Sequence, residues 1–126
     1  MVYTTVASCG NDHQEWLKIM DFFKEEFDLL DIRLLEIAGK NNTHEVMPEI
    51  EHFQNQFIIQ RNNINKFKHQ IREHSSKVAA DVQQHNGKIE QAQVAEHDVI
   101  QEEFTVFEKN ITELRHEFNR FLSKWM

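Results

Sequence analysis

Two Glu-x-x-His steps are the residues of this 126-residue chain best suited to metal chemistry. They run from Glu49 to His52 and from Glu113 to His116, and in a helix this spacing puts a carboxylate and an imidazole on one face. In ferritin-like di-iron bundles, two helices carry such a step and two further helices supply one Glu each. One interpretation of the chain is therefore a metal-binding helical bundle of the di-iron or zinc kind.

Three features of the sequence argue against metal at these steps. The apolar seams through Ile50 and Phe53 and through Ile111 and Leu114 run beside the four residues, which are then expected to point partly to solvent. Only three helices are predicted, where the di-iron site uses four. The chain also has 8 His and 21 acidic residues, enough for such steps to arise by chance. We therefore expect no metal and no cofactor.

A second group of imidazoles lies along the predicted seams. His74 and His85 occupy seam positions of the second helix, and His97 falls nearly opposite His74 on the third. Such a cluster can bind zinc or respond to pH, because histidine titrates near neutrality. The favoured interpretation is plainer: these residues are polar fillers of a half-wetted region.

Other chemistry finds little support in the sequence. Cys9 is the single cysteine and precedes the first predicted helix, and the three glycines stand apart rather than forming a phosphate-binding loop. The net charge of -7 argues against nucleic acid and anionic membranes as partners. We expect a non-enzymatic cytoplasmic protein.

The patterning predicts an all-α fold of three long, coiled-coil-like helices over residues 12–38, 44–85 and 88–125. Asp12 with Glu15 has the spacing of a capping box, and Gly39 is suited to a left-handed cap. From Trp16 onward apolar residues recur at alternating steps of four and three. Five further apolar residues predict burial of the first helix against two neighbours: Leu17, Ile19, Phe22, Leu29 and Leu35.

Charge patterning predicts an antiparallel bundle. A hairpin centred on Asn86-Gly87 puts the basic stretch 61–77 opposite the acidic stretch 96–112. The first helix is acidic as well, and it comes near the basic stretch when the chain folds back after Gly39. Exposed ion pairs are individually weak, but this pattern disfavours parallel or slipped registers.

The predicted lengths leave part of the hairpin uncovered. The first helix has roughly 27 residues and the others roughly 40 each, so the hairpin should protrude as a two-helix arm. Either a second copy covers this arm, or residues 1–11 lie along it; otherwise they are flexible. We expect one domain over residues 1–126, a homodimer, and a role in protein–protein interaction or scaffolding, with another protein as the alternative partner. The interface candidates are Val78, Val82, Ile89 and Ala92.

Two stretches carry a resemblance to known sequences. The run Glu51-His52-Phe53-Gln54-Asn55-Gln56-Phe57-Ile58, together with the helix from Trp16 to Ile37, resembles a family of small uncharacterised bacterial helical-bundle proteins. The resemblance spans residues 12–126. It implies a helical bundle and no particular activity.

Overall fold

Three helices form the fold: α1 (Val6–Lys40), α2 (Met47–Gln84) and α3 (Gln91–Trp125). The computed structural model describes residues 6–41, 44–84 and 91–125, with the side chains of α1 from Cys9 onward. α2 runs antiparallel to both neighbours. Toward α1, His74 meets His13 and Arg61 meets Asp28. Toward α3, Lys77 meets Glu96 and Gln70 meets Glu103. The predicted all-α three-helix bundle is confirmed.

α1 begins six residues earlier than the predicted start at Asp12. Asp12 is therefore inside the helix and does not cap it. The physical reason is that the seam does not stop at Trp16: His13 and Cys9 continue it at steps of three and four, and both are buried. Because His13 is polar, the apolar spacing alone did not predict that the helix extends before Trp16.

α1 ends differently from the prediction as well. Gly39 lies inside the helix, and Asn41 follows its last residue, Lys40. The backbone N–H of Asn41 and its side-chain amide both donate to the Ile37 carbonyl, at 3.0 and 3.1 Å. The same amide lies 3.3 Å from the Trp125 carbonyl, so Asn41 ties the end of α1 to the end of α3.

The predicted register of the bundle is confirmed by polar contacts between helices. Lys77 Nζ lies 3.4 Å from Glu96 Oε1, and Gln70 Nε2 donates to Glu103 Oε2 at 3.1 Å. Between α1 and α2, Arg61 donates to Asp28 at 2.9 Å. The acidic side of α1 thus faces the basic stretch of α2.

The core consists of the apolar seams of the three helices and is rich in aromatic rings. Phe53 contacts Phe118 and Phe121 with ring centroids 5.1 and 4.9 Å apart, and Phe57 contacts Phe27 and Phe118 at 5.5 and 5.2 Å. Continuity of the seams through Ser75 and Ser76 keeps α2 unbroken, as predicted.

α1 packs against both α2 and α3, as predicted, but three of the five apolar residues that were expected to be buried in these contacts are not. Leu17 and Ile19 are half-buried beside the core, but Phe22, Leu29 and Leu35 are exposed. In a three-helix bundle one side of each helix faces solvent, and α1 carries apolar residues there too.

The longer α1 also covers part of the hairpin that was predicted to protrude. Because α1 starts at Val6, Cys9 and His13 lie beside the part of the hairpin that was expected to be uncovered. Val78 is buried, Val82 is half-buried and Ala92 is exposed, while Ile89 and His85 fall outside the described residues. In the described helices, no stretch is long and apolar enough to cross a membrane.

Candidate metal centre

The two Glu-x-x-His steps do not converge. Glu49 Oε2 accepts a hydrogen bond from Trp125 Nε1 at 2.6 Å, and His52 Nε2 lies 2.8 Å from Glu117 Oε1. Glu113 and His116 are exposed on α3. Among the described residues, these four therefore form no common ligand group.

Three other histidines do form such a group. His13 on α1, His74 on α2 and His97 on α3 each offer a ring nitrogen, and these atoms lie within 4.8 Å of one another. The three residues are 5%, 0% and 1% exposed. The sequence predicted that His97 lies near His74, but the interpretation of both as half-wetted fillers is wrong, because they are inside the bundle.

The seams explain why these residues meet. His13, His74 and His97 each occupy a position where the neighbouring seam residues are apolar and buried: Trp16 on α1, Ile71 on α2 and Ile100 on α3. The antiparallel register of α1 with α2 and of α2 with α3 brings the three positions to one level. We call this level the histidine layer, defined by His13, His74 and His97.

Hydrogen bonds fix the tautomer of His74. Its Nε2 lies 2.9 Å from the main-chain oxygen of Gln93, which only accepts, so Nε2 carries the proton. In the neutral ring, Nδ1 then has a free lone pair, and it faces His13 Nε2 at 2.9 Å. His13 Nε2–H therefore donates to His74, and His13 Nδ1 accepts from the Ser75 hydroxyl at 2.8 Å.

His97, like His74, has its Nε2 hydrogen-bonded to an oxygen. Its Nε2 donates to Asp12 Oδ2 at 2.8 Å, which leaves the lone pair on Nδ1 in the neutral ring. This Nδ1 is buried and has no hydrogen-bond partner in the described part of the chain. A buried nitrogen without a hydrogen-bond partner lowers the stability of the fold, and such atoms are rare in native proteins.

The three rings share one arrangement. Each has one nitrogen bound to an oxygen on its outer side: the Ser75 hydroxyl for His13, the Gln93 carbonyl for His74 and the Asp12 carboxylate for His97. Of the other nitrogens, His13 Nε2 and His74 Nδ1 face each other, and His97 Nδ1 is buried. Metal-binding histidines are typically oriented by such oxygen partners on the nitrogen away from the metal.

Gln93 provides a second buried polar atom without a partner. Its side-chain Oε1 makes no hydrogen bond within the described residues, although its main-chain oxygen holds His74. Gln93 lies one helical turn before His97, on the same face of α3. Gln93 and His97, each with an unpaired buried side-chain atom within the described residues, are therefore one turn apart on α3.

Burial and the neighbouring rings keep His13 neutral near pH 7. Burial and, to a smaller extent, the neighbouring imidazoles His74 and His97 together lower the pKa of His13 to about 4, against the opposing effect of Asp12. Neutral imidazole is the form that binds metal, so a proton does not compete for His13 at neutral pH.

The surroundings of the layer are apolar and largely aromatic. The Trp16 ring lies 4.9 Å from His97 and 5.9 Å from Phe104, centroid to centroid. One turn before His13, Cys9 is buried, and burial followed by the charges of Asp12 and Asp98 raises the pKa of its thiol. Cys9 therefore favours the protonated thiol and lies outside the group of mutually close ligand atoms.

The distance between Ser75 and His13 is typical of a nucleophile and its general base, but the surroundings of Ser75 do not suit nucleophilic catalysis. Ser75 lies in the interior of α2, where the neighbouring backbone N–H groups are bonded within the helix. They are not available to stabilise an oxyanion. The geometry instead makes Ser75 a partner that orients His13.

His13 is the member of the histidine layer that the sequence pattern did not predict. The apolar spacing predicted that the α1 seam starts at Trp16, and the Asp12–Glu15 spacing predicted a cap at Asp12. A signal was nevertheless present: stepping back from Trp16 by three and then four reaches His13 and Cys9.

Together these observations define a three-helix bundle with a buried histidine layer. No family model matches the chain, and neither a curated protein nor a solved structure is detectably similar to it. The resemblance to small bacterial helical-bundle proteins stays a prediction.

Proposed function

We propose that the bundle binds a divalent transition-metal ion, Zn²⁺ in the first instance, at the histidine layer. The observation that supports this most directly is the convergence of three ring nitrogens, one from each helix, within 4.8 Å. In a tetrahedral zinc site with Zn–N bonds of 2.0–2.1 Å, ligand nitrogens are about 3.4 Å apart. Small ring movements therefore suffice to reach the required geometry.

One proton has to move for His13 to bind metal through Nε2. The proton passes to Nδ1, and Ser75 Oγ then accepts it as a hydrogen bond instead of donating. His74 and His97 already present lone pairs on Nδ1. After this change, all three outer nitrogens donate to oxygens, as the orientation of a metal-bound histidine requires.

The fourth ligand in this proposal is Gln93 Oε1. It is buried without a partner in the described chain, and it lies one turn from His97. Structural zinc sites are closed by four protein ligands, whereas catalytic ones keep a position for water. A closed site with ligands from all three helices has a structural role, which joins the start of α1 to the hairpin.

Zinc titration of chelator-treated protein tests the proposal. At zinc concentrations about 100-fold above the dissociation constant, binding adds about 2.7 kcal/mol, or an increase of about 10 °C in melting temperature. His74→Leu and His97→Leu keep the layer buried and should abolish this increase. His52→Ala and His116→Ala, at the Glu-x-x-His steps, serve as controls and should retain it. An unchanged melting temperature for the native protein with zinc, cobalt and nickel would overturn the proposal.

We propose a second role in protein–protein contact, including formation of a homodimer. The supporting observation is that large apolar side chains in the described helices are exposed: Phe22, Leu29, Ile32, Leu35, Met47, Ile58, Ile59, Val99 and Val106. Light scattering of the full chain over a range of concentrations tests this role. A monomer throughout would contradict the homodimer.

A further inference from the structure

The outer side of α1 carries a second seam. Its positions follow one another at steps of four and three, the spacing of a coiled-coil contact. All of its residues are exposed, on the side of α1 away from the core. This outer seam consists of Lys18, Phe22, Glu25, Leu29, Ile32 and Glu36.

The apolar members of the outer seam lie in its central part, where Glu25 separates Phe22 from Leu29. Phe22, Leu29 and Ile32 are 58%, 63% and 54% exposed, and the charged residues Lys18 and Glu36 lie at its two ends. The whole seam spans roughly 28 Å at 1.5 Å per residue. A stripe of this kind usually faces another helix.

We propose that the outer seam binds the outer seam of a second copy of this chain, with the two α1 helices antiparallel. The proposal rests on the contact role proposed above and names its surface and partner. A second copy is favoured as the partner because the oppositely charged ends of the seam meet when one copy is turned by a two-fold rotation, the commonest symmetry of homodimers.

The complementarity can be followed along the seam. With the two-fold axis at the level of Phe27, Lys18 of one copy faces Glu36 of the other. Phe22 then faces Ile32, whereas Leu29 faces Glu25, the one pair of seam positions that is not complementary. A parallel pair would instead place Lys18 against Lys18 and Glu36 against Glu36, which is unfavourable. Charge thus selects the antiparallel pair.

The two copies would each contribute one α1 helix and three large apolar side chains. This is a small contact compared with stable interfaces, which bury at least about 1,200 Å². The dimer is therefore a reversible one whose population depends on concentration, and the histidine layer is not part of it.

Charge reversal combined with sedimentation equilibrium of the full chain tests the proposal. Lys18→Glu and Glu36→Lys each put like charges together at both ends of the pair and should weaken association roughly three- to tenfold. The double variant Lys18→Glu/Glu36→Lys restores opposite charges and should recover the native association. Phe22→Ser should abolish the dimer. Val106→Ser removes an equally exposed apolar side chain from α3 and is the matched control.

The possible outcomes separate the proposals. Weakening by both single variants with recovery in the double variant supports the antiparallel pair. A double variant as weak as the single ones overturns the antiparallel arrangement. A dimer insensitive to Phe22→Ser overturns the surface but leaves the contact role standing. A native chain that is monomeric at every concentration overturns both.

Discussion

Asp12 on α1 holds His97 on α3 through a 2.8 Å hydrogen bond between Oδ2 and Nε2. The contact joins two helices far apart in sequence, and it decides which nitrogen of His97 faces the histidine layer. Because the carboxylate accepts from Nε2, the lone pair of the neutral ring is on Nδ1, the atom that is buried without a partner in the described chain. Asp12 therefore acts on the proposed metal site without being a ligand.

Replacing Asp12 by Ala should lower zinc affinity by about 10- to 100-fold, because His97 loses the partner that orients it. Competition with a chromophoric chelator measures the affinity. Glu15→Ala removes an exposed carboxylate from the next turn of the same helix and is the control. Equal affinities for the two variants would show that Asp12 does not orient a ligand.

The unfolding free energy of metal-free protein should fall as the pH is lowered from about 6.5 to about 4. His13 has a folded pKa of about 4 against 6.5 in the unfolded chain, so the unfolded state binds more protons in this window. The contribution is fully present above pH 6.5 and amounts to about 3 kcal/mol.

Urea unfolding at pH 7 and at pH 4.5, with a chelator present, measures this effect. His13→Gln removes the titrating group and should reduce the dependence on pH, whereas His69→Gln, at an exposed position of α2, should retain it. The same pH dependence in His13→Gln as in the native protein would contradict the lowered pKa of His13.

Gln93→Met should have opposite effects with and without metal. In metal-free protein, it removes a buried carbonyl that has no partner in the described chain, so the unfolding free energy should be unchanged or higher. With zinc, the substitution removes the proposed fourth ligand and should lower affinity. An absorption spectrum of bound Co²⁺ identical to that of the native protein would exclude Gln93 as a ligand.

Phe57→Ala should destabilise the bundle by about 3 to 5 kcal/mol, because Phe57 is fully buried among aromatic rings. The adjacent Ile58 is exposed, and Ile58→Ala should cost less than about 1 kcal/mol. Denaturant unfolding of the two variants compares them directly. Similar costs at both positions would mean that the assignment of the buried face is wrong.

The sequence predicted the number of helices, their register and most of the core. These features depend on apolar spacing and charge patterns that repeat along whole helices, so one exceptional residue does not obscure them. Phe57 and Phe118 are buried as their seam positions indicate, and Lys77 meets Glu96 as the hairpin register requires. The start of α1 did not follow, because His13 is a polar residue at a seam position. Its burial depends on partners from α2 and α3 that local sequence does not reveal.

The site was predictable only in part, for the same reason. His74 and His97 were placed near each other by the register, but their burial depends on α1 reaching that level. The Glu-x-x-His steps have the more familiar spacing, yet Glu49 and His52 pair with Trp125 and Glu117 instead. Local spacing fixes which side chains share a helix face, whereas the neighbouring helices decide what that face meets.

The histidine layer has a kinetic consequence, because its members come from all three helices. The layer is complete only when all three helices have packed at this level, and we expect this to follow the transition state for folding. Interactions absent from the folding transition state act mainly on the rate of unfolding. A metal ion bound there would slow unfolding while leaving the rate of folding almost unchanged, and would prolong the lifetime of the native bundle against proteolysis.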